Sequence, residues 1–129
     1  MKFAYRLAVA ALLAAPLAVS TAALAHTKVV ASTPAQGATV KSPRVVTLTF
    51  SEALLPPTAA ASIVMTAMPG MANHGEMMIR NFTTAWSNGN KTMTLKLKQP
   101  LRAGTYEARW QAAGADGHRM KGVVDFVAS

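Results

Sequence analysis

Residue types able to hold a metal ion stand in three separated places: His26, the pair Asp116 and His118, and the run Met68-Pro69-Gly70-Met71-Ala72-Asn73-His74-Gly75-Glu76-Met77-Met78. Together these places contain all 3 histidines of the chain. A histidine at a free amino terminus offers two nitrogen donors, the α-amine and ring Nδ1, which close a six-membered chelate on one ion. His26 becomes such a residue if the chain is cut after Ala25. Asp116 and His118 are two apart across Gly117, a spacing that in an extended segment turns both side chains the same way. Amine, two imidazoles and a carboxylate form a nitrogen and oxygen set suited to the tetragonal preference of Cu(II). Alone, Asp-Gly is a common turn dipeptide and His118 reads as a solvated loop residue. The coincidence with a histidine at an expected mature terminus favours the ligand reading.

The second set is soft. Met68, Met71, Met77 and Met78 are four of the chain's 8 methionines, and the chain has no cysteine. Thioether sulfur suits Cu(I), with His74 a compatible partner. Proline, glycine and asparagine make this stretch a loop, not an element with a face to bury. Met68, Met71 and Met77 are therefore taken as ligands with His74, and Met78, adjoining Ile79, as a packing residue. Methionine also fills core gaps, and that reading is adopted for Met65, Met93 and Met120.

The first 25 residues, MKFAYRLAVAALLAAPLAVSTAALA, combine early bases at Lys2 and Arg6, an apolar stretch and an Ala-x-Ala ending. That is the layout of a secretory signal peptide over residues 1–25, ahead of one domain over 26–129. A retained membrane anchor is the weaker alternative, since Pro16, Ser20 and Thr21 interrupt a stretch that barely reaches the roughly 20 residues a span needs. Without Lys2 and Arg6 the chain keeps 11 bases against 5 acids, a formal charge of +6 in place of +8. The bases are scattered among threonine and valine, which gives no patch for tracking a phosphate backbone and argues against nucleic acid. An exported domain without cysteine folds on its apolar core alone.

Positioning such ligands falls to β-strands. In Val45 to Phe50, Val46, Leu48 and Phe50 share one face; in Thr92 to Lys98, Met93, Leu95 and Leu97 do. Further strands are expected over residues 28–32, 61–66, 79–86, 105–112 and 122–127. Turn residues separate them, most clearly Asn88-Gly89-Asn90. About seven short strands at this spacing indicate an all-β antiparallel Greek-key sandwich or barrel. A helical turn fits only between Glu52 and Ala60. Trp86, Trp110, Tyr106 and Phe126 read as packing residues, and Glu107 and Asp125 as solvated face residues. The stretch Gly114 to Gly122 is expected to be a loop.

Enzymatic signatures are absent: no Gly-x-Ser-x-Gly turn, no phosphate-cradling glycine loop and no His-Glu-x-x-His helix occurs. Over nearly all of residues 26–129 the chain resembles the CopC-type periplasmic copper-resistance proteins. The resemblance is carried by His26, Ser32-Thr33-Pro34-Ala35-Gln36-Gly37, Leu48-Thr49-Phe50-Ser51-Glu52, the methionine loop, Gly104-Thr105-Tyr106 leading to Trp110, and Asp116-Gly117-His118 before Lys121-Gly122. It implies a cupredoxin-like or Ig-like Greek-key β-barrel that carries or buffers copper in the periplasm and is not an enzyme. It further implies Cu(II) at His26, Asp116 and His118, and Cu(I) at Met68, Met71, His74 and Met77. The partners expected are copper ions and a membrane copper transporter or another periplasmic copper protein, with the chain itself a monomer. The alternative is a copper redox enzyme, because an amino-terminal histidine joined to a second histidine is also the copper grip of polysaccharide monooxygenases.

Overall fold

The computed structural model describes residues 27–71 and 75–129. The strands are β1 (Val29–Thr33), β2 (Thr39–Val40), β3 (Val45–Phe50), β4 (Ala60–Ala67), β5 (Met77–Ile79), β6 (Phe82–Ser87), β7 (Thr92–Leu97), β8 (Gly104–Ala113) and β9 (Arg119–Ala128). They form a four-stranded sheet, β1-β3-β7-β6, and a five-stranded sheet, β2-β9-β8-β4-β5. All pairings are antiparallel except the short parallel one between β2 and β9. The chain crosses repeatedly between the two sheets, which is the Greek-key β-barrel expected of its strand spacing.

The alternation expected for β3 and β7 holds. Val46, Leu48 and Phe50 are buried together with Met93, Leu95 and Leu97, against Ile63, Tyr106, Ala108, Trp110, Val124 and Phe126 of the other sheet. Met65 and Met93 are core residues, as expected. Phe50 stands edge-on to Trp110 at 4.7 Å between ring centroids and stacks on Trp86 at 6.2 Å. Tyr106 stacks on Phe126 at 5.6 Å, and its hydroxyl donates to the Arg102 carbonyl at 2.7 Å. This satisfies the one polar atom of a fully buried ring. Asn88, Gly89 and Asn90 all take positive φ in the β6–β7 turn, a conformation these residue types tolerate better than others do. The helical turn between Glu52 and Ala60 is a single 3-10 turn at Pro56–Thr58.

Two expectations are corrected. The single strand expected over residues 79–86 is two strands, because β5 pairs with β4 while β6 pairs with β7 in the other sheet. The chain changes sheet at Arg80-Asn81, so one run of strand-forming residues serves two edges. The other unforeseen strand, β2, has only two residues and is held by its parallel partner β9 rather than by any pattern of its own.

Gly122 lies directly opposite Trp110 in the β8–β9 ladder. A Cβ on Gly122 would stand 2.7 Å from Trp110 Nε1 and 2.9 Å from Cε2. Phe50 limits how far the indole can yield. Gly122→Ala is therefore expected to destabilise the fold by about 1–3 kcal/mol, the usual range for overpacking. Denaturant unfolding of the variant beside the parent checks this; an unchanged midpoint would show that the ring moves freely.

Candidate metal centre

The β8–β9 hairpin carries one candidate site at its tip. The expected loop over 114–122 is shorter than anticipated, since β9 begins at Arg119 and only residues 114–118 are irregular. The Gly117 N–H donates to the Gly114 carbonyl at 2.9 Å, the Gly114 N–H donates to the His118 carbonyl at 3.1 Å, and Gly117 has φ +82°. Asp116 and His118 are therefore not brought together by extended alternation. They meet because a turn folds the chain back: Asp116 Oδ1 accepts the His118 backbone N–H at 3.1 Å, and Oδ2 lies 2.8 Å from His118 Nδ1.

A carboxylate only accepts, so Nδ1 carries the shared proton and Nε2 is the ring nitrogen left for a ligand. This is the orientation in which a carboxylate steers a metal-binding imidazole from behind. His118 and Asp116 are exposed, at 71% and 59% of their side-chain surface. The hydrogen bond to Asp116, then its charge, raises the His118 pKa above its ordinary 6.5. The same hydrogen bond, with that from the His118 backbone, lowers Asp116 below 3.8.

His26 and His74 lie outside the described residues. Thr27, the first described residue, is buried. Its backbone N–H donates to Met120 Sδ at 3.0 Å. Met120, expected to be simple packing, thus also fastens the start of the described chain to β9 just beyond the Asp116 turn. No sequence signal marks this bond, which joins residues 93 apart. Lys28 is exposed, with its N–H donating to Ser51 Oγ at 3.1 Å. Among the described residues no three His, Asp or Glu gather as a metal-binding group.

The methionines stand at the other end of β8. Met68 is half-buried against the core, and Met71 donates its N–H to the Met68 carbonyl at 3.1 Å, closing a tight turn. Met77 pairs with Met65 on the same face as the half-buried Ile79. Met78 is corrected: it points to the opposite face and is 50% exposed, so it does not pack. Met71 and Met77 are equally open, at 52% and 48%. The return of this loop is pinned by Glu76, whose carboxylate takes two hydrogen bonds from Arg109, at 2.8 and 3.3 Å. Arg109 Nε also donates to Glu107 at 2.8 Å, so Glu107, expected as a solvated face residue, is an ion-pair partner on that outer face. Hydrogen bonding by Arg109 holds the Glu76 pKa below its ordinary value.

Ala67 pairs with Thr105 near the start of β8, and the Asp116 turn follows Ala113 at its end. At about 3.3 Å per residue, the two candidate sites are separated by roughly 25–30 Å. Among the described residues no helix is long and apolar enough to cross a membrane.

Fold and site define the class: a small two-sheet Greek-key β-barrel with an imidazole-carboxylate turn at one end and a methionine loop at the other. The family model for the CopC domain matches residues 29–129, and the chain belongs to the CopC family. Copper resistance protein C of Pseudomonas syringae pv. tomato is 44% identical over 117 residues, covering 89% of this chain and 90% of that one. The crystal structure of PcoC, a methionine-rich copper resistance protein from Escherichia coli, superposes with a TM-score of 0.72 at 30% identity, covering 81% of this chain and 100% of that one. CopC from Methylosinus trichosporium OB3b, at 22% identity over 81% of this chain and 94% of that one, shares the fold with a TM-score of 0.64.

The imidazole-carboxylate bond has a pH signature. Because the folded pKa of His118 is raised, its contribution is fully present below about 6.5 and is lost as pH rises through the folded value. Asp116, being lowered, contributes above 3.8 and loses that contribution as pH falls through its folded value. Without added metal, the His118 ring protons in NMR should titrate with a midpoint above 6.5, and Asp116→Asn should bring it down towards that value. An identical midpoint in both proteins would mean that the carboxylate does not hold the ring in solution.

Proposed function

We propose that this chain is an exported copper-binding protein of copper resistance or homeostasis, which carries or buffers copper in the periplasm once residues 1–25 are removed. The observation that carries this reading is the fastening of Thr27 to Met120. Residue 26 is one peptide from Thr27, so its Cα lies within about 3.8 Å of that of Thr27. A chain cut after Ala25 would begin with a histidine joined directly to Thr27, whose N–H is fastened to Met120, two residues beyond His118. Cu(II) would be held by the amine and Nδ1 of His26 together with His118 Nε2. Asp116 would either orient the His118 ring or leave it to bind the ion directly. Cu(I) would be held by Met68, Met71 and Met77 with His74.

The relatives' names support the copper reading: both the Pseudomonas syringae protein and PcoC are copper resistance proteins by name. Neither is named as an enzyme, which favours a carrier over the redox-enzyme alternative. Two donor sets of different softness on one barrel suit the two oxidation states of copper that an oxidising compartment presents.

The mass of the exported protein should correspond to a chain beginning at His26. That protein should bind one Cu(II) with a tetragonal electron paramagnetic resonance spectrum. Placing one alanine before His26 keeps the imidazole but moves the amine, and should weaken Cu(II) binding by roughly a hundredfold or more, beyond the effect of losing an outer-shell partner. Since the amine must lose its proton first, and its ordinary pKa is about 7.7–8.0, affinity should fall on acidification. A different first residue, or indifference to the inserted alanine, overturns the Cu(II) reading.

The soft site is tested separately. Met71→Leu with Met77→Leu keeps volume but removes two exposed sulfurs, and should lower Cu(I) affinity in chelator competition while leaving the Cu(II) spectrum unchanged. Equal Cu(I) affinity in parent and variant rejects those two methionines as ligands.

A further inference from the structure

The barrel has an open seam. The four-stranded sheet ends at β1, and in the five-stranded sheet β2 pairs only with Val127 and Ala128 of β9. Among the described residues, the rest of that side of β9 therefore has no strand beside it. β1 and β9 face each other across a groove of about 510 Å³.

Backbone directions along β9 follow from the bonds that are made. The Asp125 carbonyl accepts the Gly37 N–H at 2.7 Å, and the Val127 N–H donates to the Ala38 carbonyl at 2.8 Å, both on the side away from β8. Antiparallel ladders alternate, so the N–H and C=O groups of Lys121 and Val123 point to that same side. They have no partner there among the described residues. Unpaired strand edges are templates for another strand.

The walls specify what kind of strand. Val30 on β1 and Val123 on β9 are 57% and 48% exposed, offering apolar surface from both sides. Lys28 and Lys121 line the same groove, and among the described residues no carboxylate does. Trp110 forms part of its floor, with an indole N–H that is buried and lacks a partner. A second copy of the chain fits poorly, since edge-to-edge pairing would bring these lysines together on a molecule that still carries a formal charge of +6 once residues 1–25 are removed.

We propose that the β1–β9 groove is a docking site for an extended acidic segment of a partner protein, which adds as a strand to the free edge of β9 at Lys121–Val123. The edge supplies main-chain hydrogen bonds, the two valines receive apolar side chains, and the two lysines select carboxylates. The proposal stands whether or not the copper assignments above do.

The probe is a short peptide of alternating aspartate and valine, titrated into the exported protein without copper. A peptide with lysine in place of aspartate is the control. The acidic peptide should bind saturably and shift the amide NMR signals of Lys121, Val123 and Val30, and the basic one should not. Val123→Pro removes an edge donor at a position where an edge strand accepts proline. It should weaken binding about tenfold, because a peptide carbonyl is left unpaired. Lys28→Glu with Lys121→Glu lies on the surface and should reverse the preference towards the basic peptide, whatever the folding of the proline variant. Absence of saturable binding overturns the proposal. So do shifts confined to other strands, or self-association of the protein through this edge.

Discussion

The ladder between β8 and β9 is the constraint on which the remaining geometry depends. Ten residue pairs, from Gly104 with Ala128 to Ala113 with Arg119, run without a break in register. Trp110, Tyr106 and Phe126 project from it into the core, where Trp110 meets Phe50 of the opposite sheet. Such packing of large apolar faces supplies the main driving force of a domain that has no disulfide to restrain it. The same ladder sets the positions of the candidate site: its tip is the turn of Asp116 and His118, its flank receives the Thr27 N–H through Met120, and Arg109 on its outer face holds Glu76.

How far this was legible in the sequence depends on the range of the interaction responsible. The inward residues of β3 and β7, and the Asn88-Gly89-Asn90 turn, are local matters of period and backbone tolerance, and the chain states them openly. The division of residues 79–86 between two sheets is not local. It depends on β4 and β7 each having an unpaired edge to offer, which no pattern within those residues encodes. Asp116 and His118 were legible as neighbours but not as a turn, because positive φ at Gly117 replaces the expected extended alternation. Met120 and Arg109 passed as ordinary strand residues, since their partners lie 93 and 33 residues away. His26 and His74 lie outside the described residues, so their readings rest on residue type, on spacing and on family.

Asp116 illustrates how one carboxylate can serve two states of a site. As arranged here, both its oxygens are engaged by His118, one with the ring and one with the backbone. The ring is thus held with Nε2 outward, and fixing a rotamer beforehand lessens the entropy lost when a ligand forms its bond. If the carboxylate itself joins the ion, the Nδ1 bond must break and the ring loses that support. Orientation and direct ligation therefore compete for the same oxygen, and under the proposed Cu(II) reading the balance between them would set how strongly the turn holds the ion.

Separation of the two candidate sites along β8 limits what the barrel can do alone. An ion cannot pass directly between donors about 25–30 Å apart, and the core between them is closely packed, with the sulfurs of Met65 and Met93 enclosed among apolar side chains. Exchange between a nitrogen and oxygen set and a sulfur set must then proceed through solvent or through a second molecule that approaches each end in turn. The two ends are also built differently. The imidazole turn rests on the longest ladder of the fold, whereas the methionine loop returns through a three-residue strand and an exposed Arg109–Glu76 bridge. Surface ion pairs contribute little to stability, so the described part of the methionine end is held by fewer strong contacts than the turn of Asp116 and His118 at the tip of the ladder. Under the proposed copper reading, an ion at the end held by the long ladder would leave by competition for its ligands, whereas one at the end with fewer fixed contacts would be open to sharing with an incoming donor before its bonds are fully broken.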